Sequence, residues 1–121
     1  MATQEISSTN WKTFCERFVT LHRGTPMTVM KIEPSGQSHE VVRDIPLANA
    51  WLESGKCSDR IFFNFEQDGR RECTHEIVEP IHVKLREEGQ GKKGLQIDAE
   101  NGSTLILFSS GKFQELLSNL H

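Results

Sequence analysis

Residues 94–108, GLQIDAENGSTLILF, predict a β-hairpin around which the rest of the chain can pack. Asn101-Gly102 is a residue pair that tolerates the positive φ angles of a tight two-residue turn. Pairing outward from that turn gives three cross-strand pairs: Ala99 with Thr104, Ile97 with Ile106, and Leu95 with Phe108. One face of the hairpin is therefore continuously apolar.

The second strand of this hairpin is apolar on its other face as well, because Leu105 and Leu107 alternate with Ile106 and Phe108. A strand that is apolar on both sides is usually covered on both sides. The hairpin is therefore expected at the centre of the core.

An amphipathic helix is predicted near the N-terminus, between candidate N-caps at residues 7–10 and the stop signal of Gly24 and Pro26. Its apolar stripe follows the helical spacing i, i+3, i+4, i+7, i+8 and consists of Trp11, Phe14, Cys15, Phe18 and Val19. A shorter C-terminal helix is predicted after Ser110, where the same spacing relates Phe113, Leu116, Leu117 and Leu120.

Between these helices, alternating and β-branched apolar residues predict five further strands, at residues 27–33, 39–45, 61–65, 73–78 and 81–87. Residues 39–45 are more polar and are expected nearer a sheet edge. Pro46 is expected to end that strand, and residues 46–59 to form a connection with one or two helical turns. Pro80 is expected at an edge or a bulge, because it cannot donate a hydrogen bond within a ladder.

Strands between two terminal helices indicate the α+β class. We predict a single domain over residues 1–121. It contains a curved, mainly antiparallel β-sheet of about six or seven strands, with an N-terminal amphipathic helix and a short C-terminal helix on its core side. With 36% hydrophobic and 26% charged residues, the 121-residue chain has the composition of a globular protein with one ordinary core.

Composition restricts the compartments and partners of the protein. The N-terminal sequence MATQEISSTNWK has neither the basic start nor the apolar core of a signal peptide, and no apolar run approaches a membrane span. Cys15, Cys57 and Cys73 are an odd number without CxxC spacing, which favours buried thiols in a reducing cytoplasm. The net charge of −3 argues against a nucleic-acid partner, which requires clustered Lys and Arg.

Cys73, His75 and His82 come closest to a chemical site. Cys73 and His75 are two positions apart, so both project from one face of a strand, as a metal-binding pair could. Only a bulge at Pro80 would bring His82 to that face, because it is seven positions from His75. A core histidine is the simpler interpretation of His75, which shares its face with Ile77; a ligand or acid–base role is the alternative.

Trp51 is the third candidate ligand-binding residue, together with His75 and His82. It could cover the core as a lid, since a large aromatic beside Leu47 and Ala50 usually packs inward, or it could be a partly exposed contact. We find no motif for an activated nucleophile, and neither a metal nor a cofactor is expected.

A nucleic-acid site is an alternative that the sequence supports weakly. A small basic patch could be formed by Lys84, Arg86, Lys92 and Lys93. Glutamates lie among them, so a solvated face of mixed charge is expected instead. Phe62 or Trp51 could stack on bases, and a small curved sheet after a helix is similar in outline to Sm-like RNA-binding barrels.

The order and spacing of several short motifs resemble a bacterial family of single-domain proteins of similar length that is classified as a domain of unknown function. The motifs are Glu5-Ile6 before Trp11, the Trp11/Phe14/Phe18/His22/Gly24 spacing, Arg43-Asp44-Ile45-Pro46-Leu47, Thr74-His75, Pro80 and residues 94–102. The resemblance implies a bacterial cytoplasmic protein. It supplies no catalytic residue, because the family has no established activity.

The leading hypothesis is a non-enzymatic binding or interaction module that forms a homo-oligomer, because catalytic motifs are lacking and strands are abundant. Residues 39–45, at a sheet edge, could pair with a second copy or accept a strand from another protein; a small-molecule partner is also possible. The alternatives are a small metal- or ligand-dependent enzyme or sensor that uses His75 and Cys73, and an Sm-like RNA-binding barrel.

Overall fold

In the computed structural model, which describes residues 3–68, 71–89 and 92–109, eight β-strands form one antiparallel sheet. The strands are β1 (Thr3–Ile6), β2 (Pro26–Ile32), β3 (Ser38–Ser54), β4 (Asp59–Gln67), β5 (Arg71–Val78), β6 (Pro80–Gly89), β7 (Lys92–Ala99) and β8 (Gly102–Ser109). A 3-10 turn (Ser8–Asn10) and helix α1 (Trp11–His22) separate β1 from β2. The strand order is β1-β6-β7-β8-β2-β3-β4-β5.

The sheet consists of two meanders joined by a seam. Strands β2 to β5 pair with their neighbours in sequence, and so do β6 to β8. The seam is the pairing of β2 with β8, in which Val29 lies opposite Ile106. Strand β1 adds to the outer edge of β6.

The sheet is so strongly curved that its two halves face each other. His75 of β5 and Thr104 of β8 are four strand positions apart, which in a flat sheet would separate them by about 19 Å. Their side chains are nevertheless hydrogen bonded, with 3.0 Å between His75 Nε2 and Thr104 Oγ1. The concave side of the sheet therefore encloses the core.

Helix α1 fills part of this concave side, as its apolar stripe predicted. The ring of Phe18 is fully buried and packs edge-on against Phe63 of β4 and Phe108 of β8. The end of the helix is tied to β3, because Gly24 donates its N–H to the Leu47 carbonyl. The predicted helix is confirmed, including the stop near Gly24.

Alternate residues of the strands line the concave side, as the period of a strand requires. The buried apolar side chains of the described strands are Ile6, Met27, Val29, Val42, Ile45, Leu47, Ala50, Ile61, Phe63, Phe65, Ile77, Val83, Leu85, Leu95, Ile97, Ile106 and Phe108. Ile106 has no exposed surface, so the predicted place of its face in the core is confirmed. Leu105 and Leu107, on the other face, are half-buried rather than covered as predicted.

The register of the hairpin from β7 to β8 differs from the predicted one by two residues. Ile97 pairs with Thr104 and Ala99 with Gly102, so Glu100 and Asn101 form the turn. Gly102 has φ +122, and a Cβ atom there would overlap the carbonyl oxygen of Ile32. Glycine is thus needed at this position for the close contact with β2, not for the turn itself. Because the register is shifted by an even number of residues, the same residues stay on the inner face of the hairpin.

The predicted fold class is wrong in its strand count and its balance of helix and strand. The described residues form an eight-stranded sheet with a single α-helix, rather than a sheet of six or seven strands with two helices. One added strand is β1, and its short sequence has no alternating pattern. The C-terminal helix predicted after Ser110 lies outside the described residues.

Residues 46–59 do not form the connection with helical turns that was predicted. Strand β3 continues through Pro46 to Ser54 and changes partner there: residues 38–46 pair with β2 and residues 47–54 with β4. Proline is tolerated because the ladder is interrupted where the partner changes. Pro80, in contrast, lies beside a register shift, as predicted.

Candidate functional site

The edges with which no described strand pairs differ in how well they are protected against further strand pairing. Natural proteins protect edges with short strands, bulges, prolines or charges. Strand β1 has only four residues. Residues 38–46 of β3 pair with β2 alone, and this stretch contains Pro46, a register shift and Asp44 at φ +50.

Strand β5 is the edge that has none of the geometric protections. Its eight residues pair with β4 in one uninterrupted register, from Arg71 opposite Gln67 to Val78 opposite Arg60, without a bulge or a proline. No described strand pairs with its other side. A regular edge of this length offers a row of backbone N–H and C=O groups to another strand.

The two sides of β5 have different chemistry. Thr74, Glu76 and Val78 are exposed on the convex side, and Val78 exposes 38% of its surface. Cys73 and His75 are half-buried on the concave side, where they lie opposite Phe65 and Phe63 of β4. An added strand would thus meet a mixed polar and apolar surface on one side and the rim of the core on the other.

The convex side of β3, β4 and β5 is an ordered surface of three cross-strand rows, which we name the outer grid. The rows are Asn49-Asn64-Thr74, Trp51-Phe62-Glu76 and Glu53-Arg60-Val78. The rings of Trp51 and Phe62 are stacked, 5.0 Å apart and inclined by 10°. Cross-strand aromatic pairs of this kind stabilise a sheet surface.

Hydrogen bonds within the outer grid engage the polar residues that β5 contributes to it, Thr74 and Glu76. Arg60 donates to Glu76 Oε2 at 2.8 Å, so the exposed carboxylate of β5 is already paired. Asn64 Nδ2 donates to Thr74 Oγ1 at 2.9 Å and fixes that hydroxyl. Glu76, whose carboxylate is already paired, is therefore a weak barrier to a neighbouring strand.

His75 has the environment of a structural histidine at the rim of the core. Its Nε2 is bonded to the buried hydroxyl of Thr104, a contact that links the two halves of the sheet. Burial lowers the pKa of His75, and the positive charge of Lys31 lowers it further. The imidazole is therefore neutral near pH 7.

The three residues predicted to bind a ligand do not converge. His75 is on the concave side of β5, whereas Trp51 belongs to the outer grid, with its Nε1 bonded to Glu53 at 3.0 Å. His82 is exposed on β6, where its Nδ1 lies 2.8 Å from a carboxylate oxygen of Glu5. Trp51 therefore does not cover the core, and His82 links β1 to β6.

A metal centre has no support in the part of the chain that the structure describes. There, no group of three or more His, Cys, Asp or Glu side chains is placed to hold an ion. Cys73 lies on the same side of β5 as His75 and packs against the core. A pocket of about 260 Å³ is lined by Val78, Glu79, Glu100 and Asn101, and one of about 280 Å³ lies at residues 53–60; His75 lines neither.

Three of the cations that could have formed a basic patch, Lys84, Arg86 and Lys93, have polar partners within the sheet. Lys84 Nζ lies 3.3 Å from Asp98 Oδ2. Burial raises the pKa of Asp98, but hydrogen bonds from Gln96, Ser103 and Lys84 outweigh burial and lower it below the usual range. Together these contacts indicate the mixed-charge face that the sequence predicted.

Comparisons with known proteins found no relative of this chain. No family model, curated protein or solved structure matches the chain. The resemblance drawn from short motifs therefore stays a prediction. Within the described residues, no helix has both the length and the apolar character needed to cross a membrane.

Sequence reasoning missed the β5 edge. The strand itself was predicted, but its place at the end of the sheet depends on pairings between distant segments. Residues 73–78 contain neither proline nor glycine nor lysine, but residues 39–45 contain none of them either, so no local signal distinguishes the two edges.

Proposed function

We propose that the protein is a non-enzymatic interaction module that self-associates by adding a strand at the free edge of β5. The observation that carries the proposal is the eight-residue, unbulged and proline-free edge described above. Such an edge is a liability in a monomer, because it invites pairing with other chains. Pairing with a second copy removes the liability and extends the antiparallel sheet across the interface.

Self-association also suits the surface beside the edge. Val78, Val41 and Ile81 are the large hydrophobic residues that are exposed in the described part of the chain. Val78 and Ile81 flank the junction between β5 and β6. A partner strand along β5 would cover Val78, which supports this edge over the polar half of β3.

The cytoplasm is the compartment that we propose for this module. All three cysteines are free thiols: Cys15 is buried, Cys73 is half-buried and Cys57 is exposed. Burial and the nearby Glu16 carboxylate raise the pKa of Cys15 to about 12, so this thiol is inert. An exposed free thiol persists most readily in a reducing environment.

The test is to measure mass by light scattering during size-exclusion chromatography, over a range of concentrations. The wild-type protein is expected at twice the 13.8 kDa mass of the chain. Val78→Asp adds a negative charge to both copies of the edge and is expected to weaken association roughly tenfold, at ~0.7 kcal/mol for each of two symmetric contacts.

Val41→Asp is the matched control, because Val41 is also a valine and is 40% exposed, against 38% for Val78, but lies on β3. It should leave the dimer intact. Loss of the dimer in Val41→Asp alone would transfer the interface to β3. A wild-type protein that stays monomeric at high concentration would refute self-association.

A further inference from the structure

We infer that the two copies pair about a two-fold axis at His75, so that Thr74 of each copy lies opposite Glu76 of the other. This alignment rests on the proposed function and makes it more specific. In a symmetric antiparallel pair, cross-strand partners point to the same side of the sheet, so the axis must pass through a residue. The central residues of β5 offer three choices: Thr74, His75 and Glu76.

Two of these choices conflict with the exposed residues of β5. An axis at Glu76 would place the two Glu76 carboxylates directly opposite each other, and like charges in that position are destabilising. An axis at Thr74 would leave Val78 without a partner among the residues of β5. The exposed surface of Val78 would then lie beyond the shared ladder.

The axis at His75 avoids both conflicts and pairs residues 72–78 of the two copies. Thr74 Oγ1 accepts a hydrogen bond from Asn64, so its own O–H is able to donate to Glu76 of the second copy. Glu76 uses Oε2 for Arg60, and its other carboxylate oxygen can accept that bond. Symmetry produces the contact twice, with each copy acting once as donor and once as acceptor.

The concave side tolerates the same alignment. The two His75 side chains would lie next to each other at the axis, and each would keep its Nε2 bond to Thr104 of its own copy. Because burial and Lys31 lower the pKa of His75, both rings are uncharged near neutral pH and do not repel each other. On either side of them, Cys73 would lie opposite Ile77 of the second copy, which pairs a thiol with an apolar residue.

Disulfide trapping tests the alignment, because directly opposed strand residues have Cα atoms about 4.5–5.5 Å apart, within the range of a disulfide. Residues displaced by two positions are about 7–8 Å apart and are beyond that range. Thr74→Cys and Glu76→Cys are prepared in a Cys57→Ser background, which removes the exposed thiol. Each variant is oxidised alone and in an equal mixture, and the products are separated on non-reducing gels.

The expected result is a cross-linked dimer in the mixture, in about half of the assembled pairs, with little in either variant alone. Cross-linking of Glu76→Cys with itself would place the axis at Glu76, and cross-linking of Thr74→Cys with itself would place it at Thr74; either result overturns the alignment while pairing through β5 stands. A dimer by light scattering that yields none of the three cross-links overturns the alignment. The association of Val78→Asp then decides whether the interface lies at β5, because an unweakened dimer would place it elsewhere.

Discussion

The close approach of β8 to the end of β2 makes Gly102→Ala a sharp test of the fold. A Cβ atom at residue 102 would overlap the carbonyl oxygen of Ile32, and it would lie 3.4 Å from the Cα atom of Glu33. Both neighbours belong to the backbone and cannot move aside as a flexible side chain would. The seam between β2 and β8 must therefore open at the pair of Ile32 with Ser103.

The magnitude follows from a comparison with Gly36→Ala. Gly36 has φ +94 but faces open space, so alanine there meets only backbone strain of ~1–2 kcal/mol, offset by ~0.4–1 kcal/mol from the unfolded chain. Gly102 at φ +122 has the same strain and also loses one or two ladder hydrogen bonds, worth about 1 kcal/mol each. We expect about 1 kcal/mol for Gly36→Ala and about 3 kcal/mol for Gly102→Ala.

Urea and thermal unfolding followed by circular dichroism measure this difference. For a chain of 121 residues, 1 kcal/mol corresponds to about 4 °C in Tm. Gly36→Ala should lower the Tm by about 4 °C and Gly102→Ala by about 12 °C. Equal losses in the two variants would show that Gly102 does not contact β2, and the register of the seam would have to be revised.

Three further predictions concern the core, the rim and the thiols. Ile106→Asn should abolish the cooperative thermal transition. It buries an amide in place of a fully enclosed apolar side chain, at a cost of about 4 kcal/mol or more. Leu105 is half-exposed on the other face, so Leu105→Asn should shift the Tm by no more than a few degrees. The pKa of His75 is lower in the folded than in the unfolded chain, so the unfolded chain binds more protons and the free energy of unfolding should fall as pH drops below about 6.5. In urea titrations at pH 5 to 7, His75→Gln should reduce this dependence of the free energy of unfolding on pH. An unchanged dependence would contradict the lowered pKa of His75. In the native protein Cys57 should react fully with a thiol reagent, whereas Cys15, buried and with a pKa of about 12, should react only after unfolding; rapid labelling of both would contradict the packing of α1.

Helix α1 could be predicted from sequence because its signals are local. The apolar stripe of Phe14, Phe18 and their neighbours recurs with the helical period, and Gly24 ends it. The strands β4 and β6 were predicted for the same reason, since alternation within a few residues decides which side chains are buried.

The hairpin register shows where local signals become ambiguous. Asn101-Gly102 is a strong turn pair, but here the glycine is required by the approach of Ile32 from another strand. Nothing within the hairpin sequence reports that contact. The error is two residues rather than one, because burial of Ile97 and Ile106 fixes the face but not the position along it.

Residues 46–59 were predicted incorrectly for a related reason. Leu47, Ala50 and Trp51 are compatible with a helical turn, and Pro46 normally ends a strand. In the fold, β3 exchanges β2 for β4 at this point, so the proline lies where the ladder is interrupted. Strand exchange is a property of the whole sheet, and so is the edge position of β5, which the sequence alone does not reveal.

The seam between β2 and β8 also determines the order in which the parts of the chain can fold. Strands β2 to β5 form a meander from contacts that are close in sequence, and so do β6 to β8, whereas Val29 must find Ile106 and Glu5 must find His82, 77 residues away. Closing such long loops is slow, because chain entropy is lost before the contacts form. On the ribosome, the first meander must therefore wait with β2 unpaired on one side until the last strand emerges, and this waiting time is when the chain is most exposed to pairing with the wrong partner.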